Sequence, residues 1–193
     1  METLEHLLER IARCQICQPH LSHKLRPVLQ AASDAKVLIV GQAPGTKAAA
    51  SGLPFDDPSG DRLRDWLGVK REQFYDPNLL AIVPMGFCYP GKGRSGDLPP
   101  RGECAPAWRE PLLAHLKNIQ LTLVIGQYAQ AYHFGKQCGG VTECVQGWQQ
   151  HGSHIMPLPH PSPRNNLWLR RNPWFEAELL PVLKARVTNA LAQ

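Results

Sequence analysis

The chain has 193 residues, 43% of them hydrophobic and 19% charged, with a formal net charge of +5 and a pI of about 9.0. This composition excludes a disordered or fibrous protein, and the length suits one domain with a substantial core. We therefore predict a single domain over residues 1–193. The positive charge favours a polyanionic partner only modestly.

The sequence predicts no membrane partner. No apolar run approaches the roughly 20 residues that a membrane helix needs, and the first segment, METLEHLLERIARC, has acids from its second residue. We expect a cytoplasmic monomer. In that compartment, patterned cysteines indicate metal binding or catalysis more often than a disulfide framework.

Helical and strand patterns alternate along the chain. Leu4, Leu7, Leu8 and Ile11 repeat at the spacing of one helix face. Buried strands are predicted at 37–40, 79–83, 121–125 and 155–158, and further helices at 62–67, 105–116, 128–134 and 174–191. This alternation predicts an α/β fold, a three-layer α/β/α sandwich with a central, mostly parallel four-stranded sheet.

The stretch from Val37 to Gly60 contains the main candidate site. The strand 37–40 ends in the glycine-bounded loop Gly41-Gln42-Ala43-Pro44-Gly45, and parallel sheets bind ligands beyond such strand ends. Phe55, Asp56 and Asp57 follow, and an aromatic face beside carboxylates suits polar chemistry on a flat ring. The plainer alternatives are a core aromatic at Phe55 and, at Asp57, a solvated acid or the N-cap of a helix starting near Ser59.

Four of the six cysteines form a pattern. Cys14-x2-Cys17 follows the first helix. Sixteen positions separate Cys88 from Cys104, and most of a loop, 84–103, that is rich in Pro, Gly and Arg lies between them. Four thiolates suit zinc or an iron–sulfur cluster, which would order that long loop; buried structural cysteines are the alternative. Cys138 and Cys144 have no motif spacing and are interpreted as incidental.

These features together resemble the uracil-DNA glycosylase superfamily, in particular its iron–sulfur bacterial and archaeal branches, families four and five. The resemblance runs nearly end to end. It is carried by the order and spacing of the cysteines and of three further motifs, Val37–Gly45, Gly52-Leu53-Pro54-Phe55 and His160-Pro161-Ser162-Pro163-Arg164-Asn165. It implies a [4Fe–4S] cluster on Cys14, Cys17, Cys88 and Cys104, with zinc as the alternative, and a DNA repair enzyme that cuts the N-glycosidic bond of a damaged base.

Within the superfamily the motifs are mixed. Family four carries Glu where this chain has Gln42, and a uracil-reading Asn where it has Pro84. Asp57-Pro58-Ser59-Gly60-Asp61 resembles the D-x-S-G-D element of family five, which holds the water-activating Asp. The resemblance therefore implies catalysis by Asp57, with Asp56 in reserve, and leaves the excised base open among uracil and other deaminated bases.

The resemblance also implies roles for further residues. His160 would donate a hydrogen bond to the departing base, and Gln42 would position water or base, since an amide cannot be a general base. The base would lie against Phe55, Gly41, Ala43 and Gly45. DNA would be bound by Ser162, Arg164, Asn165 and Arg170, with Arg171, Lys92, Arg94 and Arg101 nearby and Leu167 or Trp168 as a wedge.

Two other functions are compatible with the sequence. Gln42 and the missing Asn are compatible with a glycosylase-fold protein that binds nucleic acid or a base without cleaving it. A small-molecule hydrolase on the same fold, with zinc in place of iron, is the other.

Overall fold

The computed structural model describes residues 2–193, and the side chains of all of these except positions 136 and 137. Four strands, β1–β4, are Val37–Val40, Leu80–Ile82, Leu121–Ile125 and Ile155–Leu158. Nine α-helices, α1–α9, in the described residues are Leu4–Ala12, Thr46–Ser51, Pro58–Leu67, Arg71–Phe74, Cys104–Leu113, Gly126–Phe134, Val141–Gln146, Asn166–Arg171 and Leu180–Leu191.

The strands form one parallel sheet in the order β2-β1-β3-β4. Gln30 covers the outer edge of β2 through an antiparallel bridge to Ile82, so the exposed backbone groups there are paired. The chain leaves β1 for β2 and then crosses to β3 on the other side of β1. The strand order therefore reverses between β1 and β3, and the crevice beyond their carboxyl ends is where such sheets bind ligands.

Two apolar layers cover the sheet. Val37 and Ile39 of β1 pack in one cluster with residues of α3, α7 and α9, whereas Leu38 and Val40 pack in a second with α1, α5 and α6. Successive side chains of a strand point to opposite faces of the sheet, and in this sheet both faces are buried. The predicted three-layer α/β/α sandwich with a four-stranded sheet is confirmed.

The predicted elements are confirmed with shifted ends, and four short helices, α2, α4, α7 and α8, were not predicted. Helix α3 begins at Pro58 rather than Arg62 and ends at Leu67 as predicted, where Gly68 follows as the C-cap with a φ of 69°. The closing helix begins with a π-helical turn, Phe175–Leu179, before α9. Pro181 lacks the amide that a regular helix needs at that point, which accounts for the irregular turn.

The structure corrects the prediction that Cys138 and Cys144 are incidental. They are joined in a disulfide with their Cα atoms 4.8 Å apart, and His151 lies beside them. Gly139 and Gly140 turn the chain between them, and the turn brings two sulfurs six positions apart into contact. No spacing rule in the sequence signals this pair.

Candidate active site

A cleft of about 640 Å³ opens at the carboxyl edge of the sheet. Its volume is within the range of small-molecule and cofactor pockets, about 300–1,000 Å³. Its lining includes every catalytic and base-binding residue predicted above: Gly41, Gln42, Ala43, Gly45, Phe55, Asp57 and His160. Segments that follow β1, β2, β3 and β4 contribute to it, so the fold places the predicted motifs together.

The loop after β1 is fixed by backbone hydrogen bonds. The carbonyls of Gly41 and Gln42 accept from the amides of Met85 (2.9 Å) and Gly86 (3.0 Å) in the segment after β2. The Gln42 side chain crosses to the proline-rich loop, where its Nε2 donates to the carbonyl of Leu98 at 3.0 Å. Gln42 therefore joins the floor of the cleft to the loop above it.

Phe55 is held in an unusual backbone conformation. Its φ of 56° is the single positive φ of a non-glycine residue in the described part of the chain. Such geometry costs about 1–3 kcal/mol and is concentrated at functional sites. Gly60 permits it, because a Cβ there would overlap the Phe55 carbonyl. The ring passes close to Gly41, where a Cβ would lie 3.4 Å from the Phe55 ring, an ordinary van der Waals contact.

Two aromatic rings line the cleft together. The centroids of Phe55 and His160 are 6.4 Å apart, with their planes at 34°. On its other side Phe55 meets the edge of Phe74, at 6.4 Å and 84°. Phe55 therefore both packs against the core and lines the cleft, which combines the two roles weighed from the sequence.

Asp57 serves as a helix cap and also lines the cleft. Its Oδ1 accepts from the amide of Gly60 at 3.0 Å, which makes it the N-cap of α3. Its Oδ2 lies 4.0 Å from the position that a Cβ at Gly45 would take. Asp56 is engaged elsewhere: Arg71 lies 3.1 Å from it, and this hydrogen bond lowers the Asp56 pKa. The structure therefore argues against Asp56 as a reserve acid.

His160 is held as a neutral hydrogen-bond donor. Burial lowers its pKa, although the carboxylates of Asp57 and Asp97 oppose that shift. Its Nδ1 accepts from the amide of Ser162 at 3.1 Å, so in the neutral ring the proton is on Nε2. Asn165 supports the same residue, since its Nδ2 donates to the His160 carbonyl at 2.7 Å.

The loop after His160 forms one rim of the cleft. Ser162 caps the short turn that follows, and Arg62 of α3 binds its carbonyl at 3.1 Å. Arg164 is exposed and its guanidinium lies against Gly96 of the proline-rich loop. Arg170 is exposed on the last turn of α8 and is absent from the cleft lining, whereas Arg101 pairs with Glu103.

Several cleft residues were missed by the sequence analysis, and Asp97 and Gln127 are two of them. Asp97 comes from the proline-rich loop and Gln127 from the start of α6. Both are exposed polar residues with no motif around them. The observation that the 84–103 loop is too long for a plain connector was the one signal that pointed towards Asp97.

The four predicted ligand cysteines lie together, away from the cleft. Cys14, Cys17, Cys88 and Cys104 are free thiols that line one small cavity with Trp108 and Arg101. Trp108 Nε1 and the Phe87 amide donate to the sulfurs of Cys14 and Cys104, each at 3.3 Å. Donors of this kind stabilise negatively charged sulfur, so the residues present fit a thiolate-bound metal group.

Burial destabilises the thiolate forms of Cys88 and Cys104. Burial raises the pKa of Cys88 to about 11 and that of Cys104 to about 12, with the neighbouring cysteines adding to both shifts. A metal bound to thiols of this kind would deprotonate them outright. The raised pKa values of Cys88 and Cys104 argue against a reactive nucleophile at either position.

Comparison with known proteins agrees with this arrangement. The family model of the uracil DNA glycosylase superfamily matches residues 28–184, which include all four strands and the whole cleft. The chain belongs to the uracil DNA glycosylase superfamily. The predicted resemblance is thereby confirmed. Separately, no helix in residues 2–193 is both long and apolar enough to cross a membrane.

Several relatives within this superfamily carry the name type-4 uracil-DNA glycosylase. The protein of Thermotoga maritima is 29% identical over 171 residues, which cover 83% of this chain and 82% of the relative. That of Saccharolobus solfataricus is 25% identical over 174 residues, or 84% and 77% of the two chains. That of Sulfurisphaera tokodaii is 24% identical over 175 residues, or 84% and 76%.

Proposed function

We propose that this superfamily member is a DNA repair glycosylase that hydrolyses the N-glycosidic bond of a flipped, damaged base, uracil or another deaminated base, in DNA. The observation that carries the proposal is the position of His160. A neutral imidazole with its proton on Nε2 faces a cleft that an aromatic ring and a carboxylate also line.

The cleft suits an extruded base. Extrusion from the duplex costs a few kcal/mol, which contacts in the pocket must offset. Stacking on Phe55 would contribute about 1–3 kcal/mol, and Gly41, Ala43 and Gly45 leave room for the base edge. On the exposed rim, Leu167 is 49% exposed and suits a wedge, whereas Trp168 is packed on Trp174 and Phe175.

The charges in the cleft match those that develop in the reaction. As the glycosidic bond breaks, the sugar becomes positive and the base becomes negative. Asp57 would stabilise the sugar, and His160 Nε2–H would donate to a carbonyl oxygen of the base; one such donor is worth about 10²–10³ in rate. Gln42, bonded to Leu98, would act by holding the loop in place rather than by binding water.

The DNA would lie along the rim formed by the His160 loop. Ser162 and Arg164 would contact phosphate, and Asn165 would act mainly through its bond to His160. Phosphate contacts of this kind release counterions, so binding should weaken steeply as salt rises. Arg170 would bind the flanking duplex, since it lies beyond the cleft.

Cys14, Cys17, Cys88 and Cys104 would hold a [4Fe–4S] cluster, with zinc as the alternative. Hydrolysis of the glycosidic bond transfers no electrons, so the cluster would have a structural task. When bound, it would crosslink the end of α1 to the two ends of the 88–104 loop. The protein purified without oxygen should absorb in the visible and contain about four iron atoms. A colourless protein with stoichiometric zinc would contradict the cluster and leave the structural role.

A single-turnover assay tests the enzymatic function. Duplexes and single strands carrying uracil, hypoxanthine, xanthine or hydroxymethyluracil are incubated with excess protein, and abasic product is measured. We expect cleavage of at least one of them, and a loss of 10²-fold or more in Asp57→Ala with DNA affinity retained. Binding without abasic product from any lesion would indicate a base- or DNA-binding protein. Hydrolysis of free nucleosides alone would indicate a small-molecule hydrolase.

A further inference from the structure

Asp97 lies in the cleft beside Asp57 although the two are forty positions apart. A Cβ at Gly45 would lie 3.7 Å from Asp97 Oδ2 and 4.0 Å from Asp57 Oδ2, so both carboxylates face the same point in the loop after β1. Both also act electrostatically on His160. The cleft therefore has two acids from different segments.

The two acids differ in how firmly one oxygen of each carboxylate is held. Asp57 has one oxygen committed to the cap of α3. Asp97 is exposed, and within residues 2–193 its carboxylate forms no salt bridge; its one hydrogen bond, from the Tyr89 hydroxyl to Oδ1, is long at 3.4 Å. Oδ2 of Asp97 remains available for a water molecule in the cleft.

The backbone around Asp97 is firmly held. Residues 91–98 form a small hairpin closed by hydrogen bonds from Gly93 to Gly96 at 2.6 Å and from Leu98 to Gly91 at 2.8 Å. Gln42 binds the Leu98 carbonyl, and Arg164 lies against Gly96. The hairpin is thus attached to the cleft floor and to the His160 loop, and Cys88 and Cys104 bound the loop that carries it.

We propose that Asp97 is a catalytic carboxylate of the glycosylase, which positions and deprotonates the attacking water while Asp57 stabilises the sugar. This inference rests on the function proposed above. It gives Gln42 a defined task, which is to hold the loop that supplies the acid. It also gives a task to the metal site proposed for Cys14, Cys17, Cys88 and Cys104, because that site would connect both ends of the same loop.

The step balances without any further reactant. The water oxygen forms a bond to C1′ of the sugar as the C1′–N bond breaks, and the electron pair of that bond leaves with the base. Asp97 Oδ2 takes one proton of the water, and His160 Nε2–H stabilises the negative charge on a carbonyl oxygen of the base. The proton on Asp97 then passes to the released base or to solvent, which restores the carboxylate. The products are an abasic sugar and the neutral base.

The test compares Asp97→Asn with wild type and with Asp65→Asn, which removes an exposed acid of α3 outside the cleft. Single-turnover rates are measured on the lesion that wild type cuts best, with DNA affinity, metal content and melting temperature. A positioned base contributes about 10²–10⁴ in rate. We expect a loss of at least tenfold in Asp97→Asn, with affinity, metal content and melting temperature kept, and wild-type rates in Asp65→Asn.

A loss smaller than tenfold would overturn the role of Asp97 and leave the glycosylase function standing, since wild type is active in the same assay. A wild type that is inert on every lesion would overturn both. If Asp97→Asn loses its metal or does not fold, Asp97→Glu replaces it, because that variant keeps the charge and displaces the carboxylate by one methylene. The same tenfold criterion then applies.

Discussion

The backbone amide of Ser162 donates a hydrogen bond to Nδ1 of His160 at 3.1 Å. This bond fixes the neutral tautomer, because Nδ1 can accept only when the proton is on Nε2. Burial lowers the His160 pKa and so maintains the neutral form at pH 7. The base-facing donor therefore requires no protonation.

We expect His160→Ala to lower the single-turnover rate by about 10²–10³, the cost of removing one oxyanion donor. His6→Gln, an exposed histidine of α1, is the matched control and should leave the rate unchanged. Because the neutral ring is the donor, the wild-type rate should not fall as pH rises from 6 to 8. A decline over that range would identify the imidazolium as the active form.

Gly60 sets the shape of the Phe55 loop. A Cβ at Gly60 would overlap the Phe55 carbonyl, whereas one at Gly102 would meet nothing within 4 Å. Gly60→Ala should therefore displace Phe55, lower the melting temperature and reduce the glycosylase rate at least tenfold. Gly102→Ala should behave as wild type in thermal unfolding and in the activity assay. Equal behaviour of the two variants would contradict the close approach.

Substitutions can test the group of Cys14, Cys17, Cys88 and Cys104 separately from the disulfide between Cys138 and Cys144. We expect Cys88→Ser to lose most of the bound metal, by elemental analysis, and to become sensitive to proteolysis within 84–103, because one end of that loop is then untied. The double variant Cys138→Ser, Cys144→Ser is the control and should keep its metal. Metal loss in the control alone would move the centre to Cys138, Cys144 and His151.

His133 makes stability depend on pH. Burial, with the nearby Arg109, lowers its pKa to about 4, and its Nε2 lies 3.3 Å from Arg109 Nη2. Between pH 6.5 and 4 the unfolded chain binds a proton there that the folded chain does not. The free energy of unfolding should therefore fall as pH falls, by about 1–2 kcal/mol from this group after allowance for its partial exposure.

Urea unfolding at pH 7 and pH 5 measures this effect. His133→Gln keeps an acceptor for Arg109 but does not titrate, so its loss of stability between the two pH values should be smaller than that of wild type. Between pH 7 and pH 5, His6→Gln should lose as much free energy of unfolding as wild type does. A His133→Gln variant with an undiminished pH dependence would assign the effect to other groups.

Local patterns in the sequence predicted much of this molecule. The four apolar runs became the four strands, and Gly68 ends α3 because it can adopt a left-handed backbone conformation there. The loop after β1 was placed at the cleft because parallel sheets bind ligands beyond the carboxyl ends of their strands. The loop after β4 was placed there through its resemblance to a superfamily motif.

Sequence patterns, together with the superfamily resemblance, therefore specified the layers of the fold, the edge that carries the cleft and the residues His160, Phe55 and Asp57 within it. The folded chain was needed to show that Asp56 pairs with Arg71, that Gln42 reaches Leu98, that Cys138 is disulfide-bonded to Cys144 and that Asp97 lies near Asp57 in the cleft. Hydrophobic periodicity specifies which face of an element is buried. It carries no information on which irregular loops meet across the cleft, because those contacts depend on how the packed elements bring distant residues together.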